Sequence, residues 1–534
     1  MNKQKGAVVI LMAFIIGLGV LAYLLNSFDP ARIRLEQEKK TMQTLNEAKQ
    51  ALIAWAVSHP NYPGQFPYPD RREVVSPNYD GKSDCPPSNT AFLVPNSYAL
   101  FLGQLPIAGQ DLPCENHLQG LGEDFRDAQG NRLWYAVSRN IVHHYEFLLA
   151  DPNSNPIINP SIVSSSGYPW LKILDRNGQL ISDRVAVVII APGNALNGQN
   201  RAGVAPTVNQ YLDSFTIGGT SFSNFDYTKP DEDFVVGQDS REVGELDTSV
   251  VKPYYFNDRL VFITIGELMN ALNNRASVEA SNLLNKYRNK NGQFPYAAIL
   301  GAPLNNHNSS GISTKGMLPI DITDNCSCSS STTCSCSFNL IASVAMERDS
   351  GTWNTTLDAG SCSSAIGAPS DTCTCTGAGS CRRNSTNFTC TAAGVCTHTL
   401  TIGVNKFVYS IIPAYADIYA TSAGCTINGN QAECDSAGTF SIGLKEPTWF
   451  KQNLWQDYIY YEWSTTSNLQ FGAKPNLTAI LVNVGQVNAG QTRPSALILD
   501  YLDTVENTNG DNIFEASNKQ KTDVYNDQAF VVAP

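Results

Sequence analysis

The chain opens with an apolar run that no charged residue interrupts. Residues 7–25 are all uncharged, and Lys3 and Lys5 precede them. At 1.5 Å per residue this run makes a helix of roughly 28 Å, which matches the hydrocarbon core of a bilayer. Because basic flanks stay on the cytoplasmic side, the rest of the chain is expected outside the cytoplasm. The pattern predicts a transmembrane helix over residues 7–28.

A second helical pattern follows at once, and this one is amphipathic. Asp29 can cap a helix and Pro30 fits its first turn, so the helix is expected to kink at Pro30 and continue over residues 31–58. Its apolar positions recur at three- and four-residue spacing. They are Met42, Leu45, Ala48, Leu52 and Trp55. The two patterns together predict one long N-terminal helix, and the apolar face of its second half, residues 31–58, is expected to pack against another element of the protein or against another chain.

The apolar run permits three interpretations: a secretory signal that is removed, a permanent membrane span, or a helix that is retained as a packing element. A secretory signal is expected to have a shorter apolar stretch, followed by a small-residue cleavage site. Residues 7–25 are longer than that, and no Ala-x-Ala site follows. The secretory signal is therefore the least favoured of the three.

A Lys-Gln-Lys-Gly sequence ending at Gly6 stands before the apolar helix, which ends at a proline and continues as an amphipathic helix. In this arrangement the N-terminus resembles type IV pilins and type II secretion pseudopilins. The resemblance implies that a prepilin peptidase cuts after Gly6 and removes residues 1–6 as a leader peptide. It also implies that Ala7 becomes a methylated N-terminus and that the helix over 7–28 packs in a filament core with other pilins or pseudopilins.

Leu11 departs from that family pattern. It is the fifth residue after the implied cut, where most pilins have a glutamate that is thought to pair with the N-terminal amine of a neighbour. A subunit without this glutamate resembles minor or tip-type pilins, which have no subunit above them to engage. The departure equally permits an unprocessed protein that keeps a single membrane span.

The body of the chain repeats six landmarks in one order, a helical pattern and five sequence segments. GQFPY occurs at residues 64–68 and again at 292–296, each time after a helical pattern. The other pairs are 131–138 with 456–464, 185–203 with 477–495, YLD at 211–213 with YLD at 501–503, and 254–264 with 523–534. Strands rich in aromatic and β-branched residues look alike in any case, but GQFPY and the paired NGQN and NAGQT sequences are not generic strand letters. The pattern predicts a tandem duplication.

Each copy is predicted to be a long helix followed by four or five short strands, which is an α+β layer architecture. The first module is expected over residues 29–265 and the second over 266–534. Such a module resembles a pilin head, and RDAQGNRLWYAVS at 126–138 resembles the Asp-x-x-Gly-Asn segment of major pseudopilins. The predicted fold is therefore a long N-terminal transmembrane and amphipathic helix followed by two tandem pilin-like modules.

Most of the 14 cysteines lie in an insertion of the second copy, at about residues 320–435. This insertion is rich in Ser, Thr and Gly and has too few apolar residues to build a core, so cross-links are expected to order it. The disulfide candidates are Cys85 and Cys114 in the first copy, and Cys326, Cys328, Cys334, Cys336, Cys362, Cys373, Cys375, Cys381, Cys390, Cys396, Cys425 and Cys434 in the second. An even number of clustered cysteines favours disulfides in an oxidising compartment.

Two alternatives to disulfides are a metal site and redox-active thiols. Zinc sites prefer two Cys-x2-Cys pairs, whereas these pairs are Cys-x-Cys, with only His398 in the cluster. A weak calcium candidate lies at 506–515, with Asn507, Asn509 and Asp511 as the natural ligands. The spacing fails the calcium-loop register, so an ordinary Asn/Gly turn is favoured. No metal site and no cofactor is predicted.

Several classes of function are disfavoured. A net charge of −12 and a pI of about 5.0 give no basic surface for nucleic acid. No nucleophile elbow, phosphate-binding loop or dinucleotide fingerprint is present, so an enzyme is not predicted. His143 and His144 are interpreted as a surface pair, and turn chemistry explains Asp258 and Asp527 better than catalysis.

The expected function follows from the resemblance. It is that of a structural subunit, a minor or tip pilin or pseudopilin, in a type IV pilus-like or type II secretion filament. The expected partners are other pilins or pseudopilins, the prepilin peptidase and the inner membrane. The body is expected in the periplasm and then in an extracellular filament, where the Cys-rich insertion would serve adhesion or assembly. The alternative is an uncleaved single-span inner-membrane protein with a periplasmic, partner-binding body.

Overall fold

The computed structural model describes part of the chain. The described residues are 11–18, 30–72, 79–84, 97–110, 120–142, 157–163, 168–175, 177–202, 206–217, 220–236, 256–301, 307, 312–320, 323–330, 333–338, 343–348, 351–356, 361–365, 374–376, 379–383, 386–390, 407–411, 417–420, 422–428, 431–434, 437–443, 448–515 and 526–534.

The chain divides into two compact units. Unit 1 comprises Met1–Ile158 and Ser165–Leu272, and unit 2 comprises Asn159–Ser164 and Asn273–Pro534. The boundary between Leu272 and Asn273 lies inside a helix, whereas the sequence placed it just before that helix, at 265/266.

Helix α1 leads unit 1 and spans Pro30–Ser58. No glycine or proline follows Pro30 within it, and Pro60 comes soon after its end, where it disfavours a further helical turn. One face is fully buried, and this face packs on the sheet of unit 1. Its buried residues are Leu45, Ala48, Leu52 and Ala56.

The main sheet of unit 1 has the strand order β2-β4-β6-β5-β9, with β10 also paired to β6. The central strand β6 ends in a continuous apolar run that is buried on both faces. The strands of unit 1 are β1 Lys82–Ser83, β2 Leu102–Gln104, β3 Ala108–Gln110, β4 Trp134–Val137, β5 Leu171–Leu174, β6 Leu180–Ala191, β7 Ser214–Ile217, β8 Thr220–Ser223, β9 Asp233–Val235 and β10 Arg259–Thr264.

Helix α2, Ile265–Asn291, follows β10 without a loop. A capping box starts it: the Glu267 amide donates to Thr264 Oγ1 at 3.1 Å, and the Thr264 amide donates to Glu267 Oε2 at 2.9 Å. Its buried face comprises Leu268, Leu272, Ala276, Ala280 and Leu284.

Unit 2 is built on a four-stranded antiparallel sheet with the order β11-β25-β28-β30. Its strands outside the Cys-rich insertion are β11 Lys315–Met317, β25 Ile459–Trp463, β26 Leu469–Phe471, β27 Lys474–Leu477, β28 Ala479–Asn483, β29 Ile513–Phe514 and β30 Gln528–Ala533. The short helices α3 and α4 span Thr448–Gln452 and Val505–Thr508.

The Cys-rich insertion consists of strands β12–β24 in separate antiparallel sheets. Their bounds are β12 Thr323–Ser330, β13 Thr333–Phe338, β14 Ser343–Arg348, β15 Gly351–Thr356, β16 Ser361–Ala365, β17 Thr374–Thr376, β18 Gly379–Arg383, β19 Thr386–Cys390, β20 Phe407–Ile411, β21 Asp417–Ala420, β22 Cys425–Asn428, β23 Gln431–Cys434 and β24 Gly438–Gly443.

The four central strands correspond between the units. The order β2-β4-β6-β10 in unit 1 matches β11-β25-β28-β30 in unit 2. In each, a tyrosine of the second strand lies opposite a glycine of the first: Tyr135 opposite Gly103, and Tyr461 opposite Gly316. The tyrosine hydroxyls donate to equivalent carbonyls of the two GQFPY segments, at 3.0 Å in unit 1 and 3.2 Å in unit 2. Strands that carry paired sequence landmarks thus occupy equivalent positions.

The prediction of a long N-terminal transmembrane helix is corrected by the structure. In the described part of the chain, no helix combines the length and the apolar character needed to cross a membrane. Helix α1 begins only at Pro30 and has charged side chains from its first turn onwards, including Arg32 and Arg34. Residues 1–10 and 19–29, which hold much of the predicted span, lie outside the described residues. The fold is a mixed α+β structure of helices and β-sheets.

Candidate functional site

Of the predicted processing and helix positions, the structure describes two. Gly6 and Ala7 lie outside the described residues. Leu11 lies in a helical segment, residues 11–18, and is 63% exposed. Pro30 is the first residue of α1. The other large apolar side chains of this segment are also more than half exposed: Met12, Phe14, Ile15, Ile16 and Leu18.

The disulfide candidates are tested at one position. Cys425 is the cysteine whose side chain the structure describes, and it is disulfide-bonded. Backbone register places Cys326 opposite Cys336, Cys328 opposite Cys334, Cys362 opposite Cys375, and Cys425 opposite Cys434. The residues that lie outside the described part of the chain are Cys85, Cys114, Cys373, Cys396, His143 and His144.

The side chains of the weak calcium candidates form hydrogen bonds within their own turn. The Asn507 Oδ1 atom accepts from the Glu515 amide at 2.9 Å. The Asn509 Nδ2 group donates to Asp511 Oδ2 at 3.0 Å, and Asp511 Oδ1 accepts from the Ile513 amide at 2.9 Å. Within the described residues, no group of three or more His, Cys, Asp or Glu side chains is arranged to hold a metal ion.

The most developed polar cluster of unit 2 is centred on Arg493. Its guanidinium lies over the ring of Tyr501, with 5.3 Å from Cζ to the ring centroid. It donates five hydrogen bonds of 2.6–3.1 Å. The acceptors are the carbonyls of Val484, Gly485, Asp500 and Tyr501 and the side-chain Oε1 of Gln491. Arg493 therefore ties together the end of β28 and the loop that follows it.

Two aspartates beside this arginine accept hydrogen bonds from the backbone, Asp527 from Asp503 and Asp503 from Asn526. The Asp503 amide donates to Asp527 Oδ2 at 2.9 Å, and the Asn526 amide donates to Asp503 Oδ2 at 2.6 Å. Asn507 Nδ2 also donates to Asp527 Oδ2, at 3.0 Å. The other oxygen of Asp527, Oδ1, is buried and has no hydrogen-bond partner in the described part of the chain.

Unit 1 contains the same cluster around Arg201. The guanidinium lies 5.1 Å from the ring centroid of Tyr211 and donates to Gln199 Oε1 at 2.8 Å. Its backbone acceptors are the carbonyls of Pro192, Gly193, Asn194, Gln210 and Tyr211. Arg201 and Arg493 thus close equivalent loops by equivalent contacts.

The aspartate pair is repeated as well. The Asp213 amide donates to Asp258 Oδ2 at 2.9 Å, and the Asp258 amide donates to Asp213 Oδ2 at 3.2 Å. Asn224 Nδ2 donates to Asp258 Oδ2 at 3.1 Å, as Asn507 does to Asp527. Asp258 Oδ1 is buried without a partner among the described residues. We call these two arrangements the Arg201 cluster and the Arg493 cluster.

Burial changes the acidity of the aspartates. It raises the pKa of Asp527 to about 7 and that of Asp213 to about 6. The pKa of Asp258 is raised well above its ordinary value, first by burial and then by the charge of Asp213. A protonated carboxyl needs no counter-charge, so these pairs suit the neutral form of one partner.

The raised pKa of Asp527 predicts that unit 2 loses stability as the pH rises. Its pKa is raised on folding from about 3.9, so its contribution to stability is complete below pH 4 and is lost as the pH rises through about 7. We expect the free energy of unfolding of unit 2 to be about 2 kcal/mol larger at pH 5 than at pH 8. Urea unfolding followed by tryptophan fluorescence at both pH values measures this difference.

Asp527→Asn tests the assignment, because the amide oxygen can still accept from Asp503 and Asn507 while the charge is gone. We expect this variant to lose most of the difference between pH 5 and pH 8. The exposed Asp511→Asn variant is the control and should keep it. If the wild-type chain becomes less stable between pH 8 and pH 5, or if Asp527→Asn retains the full difference, the interpretation is wrong.

Sequence reasoning noted the YLD and Asn-Asp sequences that hold these aspartates but did not single out the two arginines. The available signal was the repeat itself, because NGQNR ends at Arg201 and NAGQTR ends at Arg493. Comparison with protein-family models, with curated proteins and with solved structures finds no match for this chain. In chemical terms each cluster joins a strand end to a loop by charged hydrogen bonds.

Proposed function

We propose that this protein is a structural subunit of a type IV pilus-like or type II secretion filament. One observation carries the proposal: residues 11–18 form a helical segment whose large apolar side chains are exposed, from 53% for Leu18 to 69% for Phe14. A continuous apolar surface of this kind is expected to be buried against another chain. The Lys-Gln-Lys-Gly sequence that ends at Gly6 supports the same use of this segment, through its resemblance to prepilins.

The two Arg clusters support a mechanical role. Each guanidinium holds at least four backbone carbonyls, and each aspartate pair holds the backbone of the loop to the edge strand. Such contacts make loops rigid at some cost in electrostatic free energy, because charged groups are taken out of water. Rigid surface loops suit a subunit that must keep its shape in an assembly.

The proposed partners are other pilins or pseudopilins and the prepilin peptidase, and the proposed location is an extracytoplasmic filament. The insertion at β12–β24 enlarges unit 2, and its Ser- and Thr-rich, weakly charged sequence suits contact with a surface or with another subunit. Adhesion and assembly are both compatible with such a contact.

The N-terminus of the mature protein tests this proposal. We expect intact-mass measurement of the protein from its native cells to give a chain that begins at Ala7 and carries one N-terminal methyl group. A Gly6→Val variant is the control, because a bulky residue at the cleavage position should leave residues 1–6 in place. A wild-type mass that includes residues 1–6, or sheared surface filaments without this protein, contradicts the proposal.

A further inference from the structure

Three pairs of neighbouring strands in the insertion place a cysteine directly opposite a cysteine. The strands are β12 with β13, β16 with β17, and β22 with β23. Directly opposite residues of antiparallel strands have Cα atoms about 4.5–5.5 Å apart, which lies within the range that a disulfide spans. We call these the opposed pairs: Cys326 with Cys336, Cys328 with Cys334, Cys362 with Cys375, and Cys425 with Cys434.

The hairpin of β12 and β13 gives the Cys-x-Cys spacing a structural reason. Residues two apart in a strand belong to the same face of the sheet. The two Cys-Ser-Cys sequences, 326–328 and 334–336, are in register across a short turn, because Ser330 pairs with Thr333. A slip of one residue would place every cysteine of this hairpin opposite a serine or threonine. The register therefore sets two opposed pairs side by side on one face.

Cys425 supplies an independent observation, because its side chain is described. It is 5% exposed and disulfide-bonded. Gly438 of β24 leaves room for it, since a Cβ built on Gly438 would be 2.9 Å from Cys425 Sγ. Cys434 lies directly opposite Cys425 in the neighbouring strand. Gly438 pairs with Cys328, which makes Cys328 the competing partner that a test must tell apart from Cys434.

The hairpin of β18 and β19 shows that two cysteines in paired strands need not be in register. Cys381 lies opposite Phe388, and Cys390 lies opposite Gly379. The two cysteines are therefore diagonal neighbours, whose Cα atoms are about 7–8 Å apart. A disulfide cannot bridge more than about 7 Å unless the backbone moves. Register thus disfavours a bond between Cys381 and Cys390.

We propose that the four opposed pairs are disulfide bonds. For each bond, one thiolate attacks the disulfide of an extracytoplasmic dithiol oxidant and forms a mixed disulfide. The opposite thiolate then displaces the oxidant, which leaves as a dithiol with two electrons and both protons. Each bond closes a loop of at most 14 residues, so the bonds hold single pairs of neighbouring strands together. This pairing goes beyond the proposed filament function, which leaves the connectivity open.

Single substitutions test the pairing, because each one should free the opposite thiol. The full-length chain from its native cells is quenched in acid, denatured, alkylated without reduction and mapped by peptic digestion and mass spectrometry. We expect Cys336→Ser to raise labelling of Cys326 from background to about one label per chain. Cys425→Ser should likewise free Cys434. A label on Cys328 instead of Cys434, or on Cys334 instead of Cys326, overturns the proposal.

The matched control is Ser335→Ala, which changes the residue between Cys334 and Cys336 and removes no sulfur. It should leave all eight cysteines of the opposed pairs unlabelled, as in the wild-type chain. Labelling of these cysteines in the wild-type chain, or stoichiometric zinc in the purified protein, overturns the proposal.

A second measurement needs no variant and therefore does not depend on the folding of one. Partial reduction of the unreduced wild-type digest, followed by fragmentation of the linked peptides, should identify the four opposed pairs. A bond between Cys381 and Cys390, or any bond that joins two different opposed pairs, would show that register does not decide the pairing, and it overturns the proposal.

The two proposals fail in different ways. A mature N-terminus at Ala7 with a different connectivity rejects the opposed pairs and leaves the filament function standing. A retained residue 1–6 segment with the four bonds present rejects the filament function and keeps the pairing.

Discussion

Replacing Gly316 by alanine is expected to lower the free energy of unfolding of unit 2 by about 4 kcal/mol, in the range that only severe core or backbone changes reach. Gly316 is in edge strand β11, where the segment after the second GQFPY sequence crosses it. A Cβ at this position would overlap the carbonyl oxygen of Ala298. That carbonyl accepts from the Met317 amide at 2.9 Å, so neither backbone can move without breaking the bridge.

Unit 1 offers a matched test of the same geometry. A Cβ at Gly103 would overlap the carbonyl oxygen of Asp70, which accepts from the Gln104 amide at 2.7 Å. We therefore expect Gly103→Ala to destabilise unit 1 by a similar amount. Gly266, in the first turn of α2, is the control, because only Thr264 Oγ1 approaches its added Cβ, at 3.9 Å. Alanine there should be neutral or slightly stabilising.

Urea unfolding of the full-length variants measures these changes, with tryptophan fluorescence and far-ultraviolet circular dichroism as separate probes. If the units unfold independently, each glycine variant should move only one of two transitions. A loss below about 1 kcal/mol for both Gly316→Ala and Gly103→Ala would show that the crossing segments can shift, and the close backbone approach would then be wrong.

Arg493→Ala is expected to have the second largest effect, a loss of about 3–5 kcal/mol in unit 2. The substitution leaves four carbonyls and the Gln491 side chain without their donor. It also removes the positive charge beside Asp503 and Asp527, which makes their ionised forms more costly. The same urea experiment at pH 7 measures the loss.

Three further variants separate the geometry of the guanidinium from its charge. Arg493→Lys keeps the charge, but a lysine ammonium cannot reach the five acceptors as the planar guanidinium does. We therefore expect this variant to show about half of the loss in stability of Arg493→Ala. Arg201→Ala should act on unit 1 as Arg493→Ala acts on unit 2. Arg32→Ala changes a side chain that is 74% exposed and should cost less than 1 kcal/mol. Equal stability of Arg493→Ala and wild type would contradict the conclusion that Arg493 stabilises the loop after β28.

Local sequence patterns account for much of the two helices and their buried faces. In α1 the three- and four-residue spacing places Leu45, Ala48 and Leu52 on the face that is fully buried. In α2 the buried positions recur every four residues, at Leu268, Leu272, Ala276, Ala280 and Leu284. A spacing of four residues lies close to the 3.6 residues of a helical turn, so these side chains share one face.

The apolar run at the N-terminus shows a limit of pattern reading. Its length predicts a membrane-spanning helix, whereas the described residues, which include only 11–18 of this run, contain no helix that is long and apolar enough for this. The cysteines show a similar limit, because composition predicts cross-links whereas pairing depends on which strands lie side by side.

The sequence by itself determined which residues form the first amphipathic helix and which landmarks recur, because these depend on spacing and composition within short segments. Only the tertiary structure decided that Arg201 and Arg493 close equivalent loops, that Asp213 and Asp258 bind each other's backbone, and that Gly103 and Gly316 have no room for a side chain. The contacts of the aspartates and glycines join residues distant in the chain, so their partners are set by the way the sheet brings such segments together. The arginines contact carbonyls within about ten residues, and the conformation of the loop sets these partners.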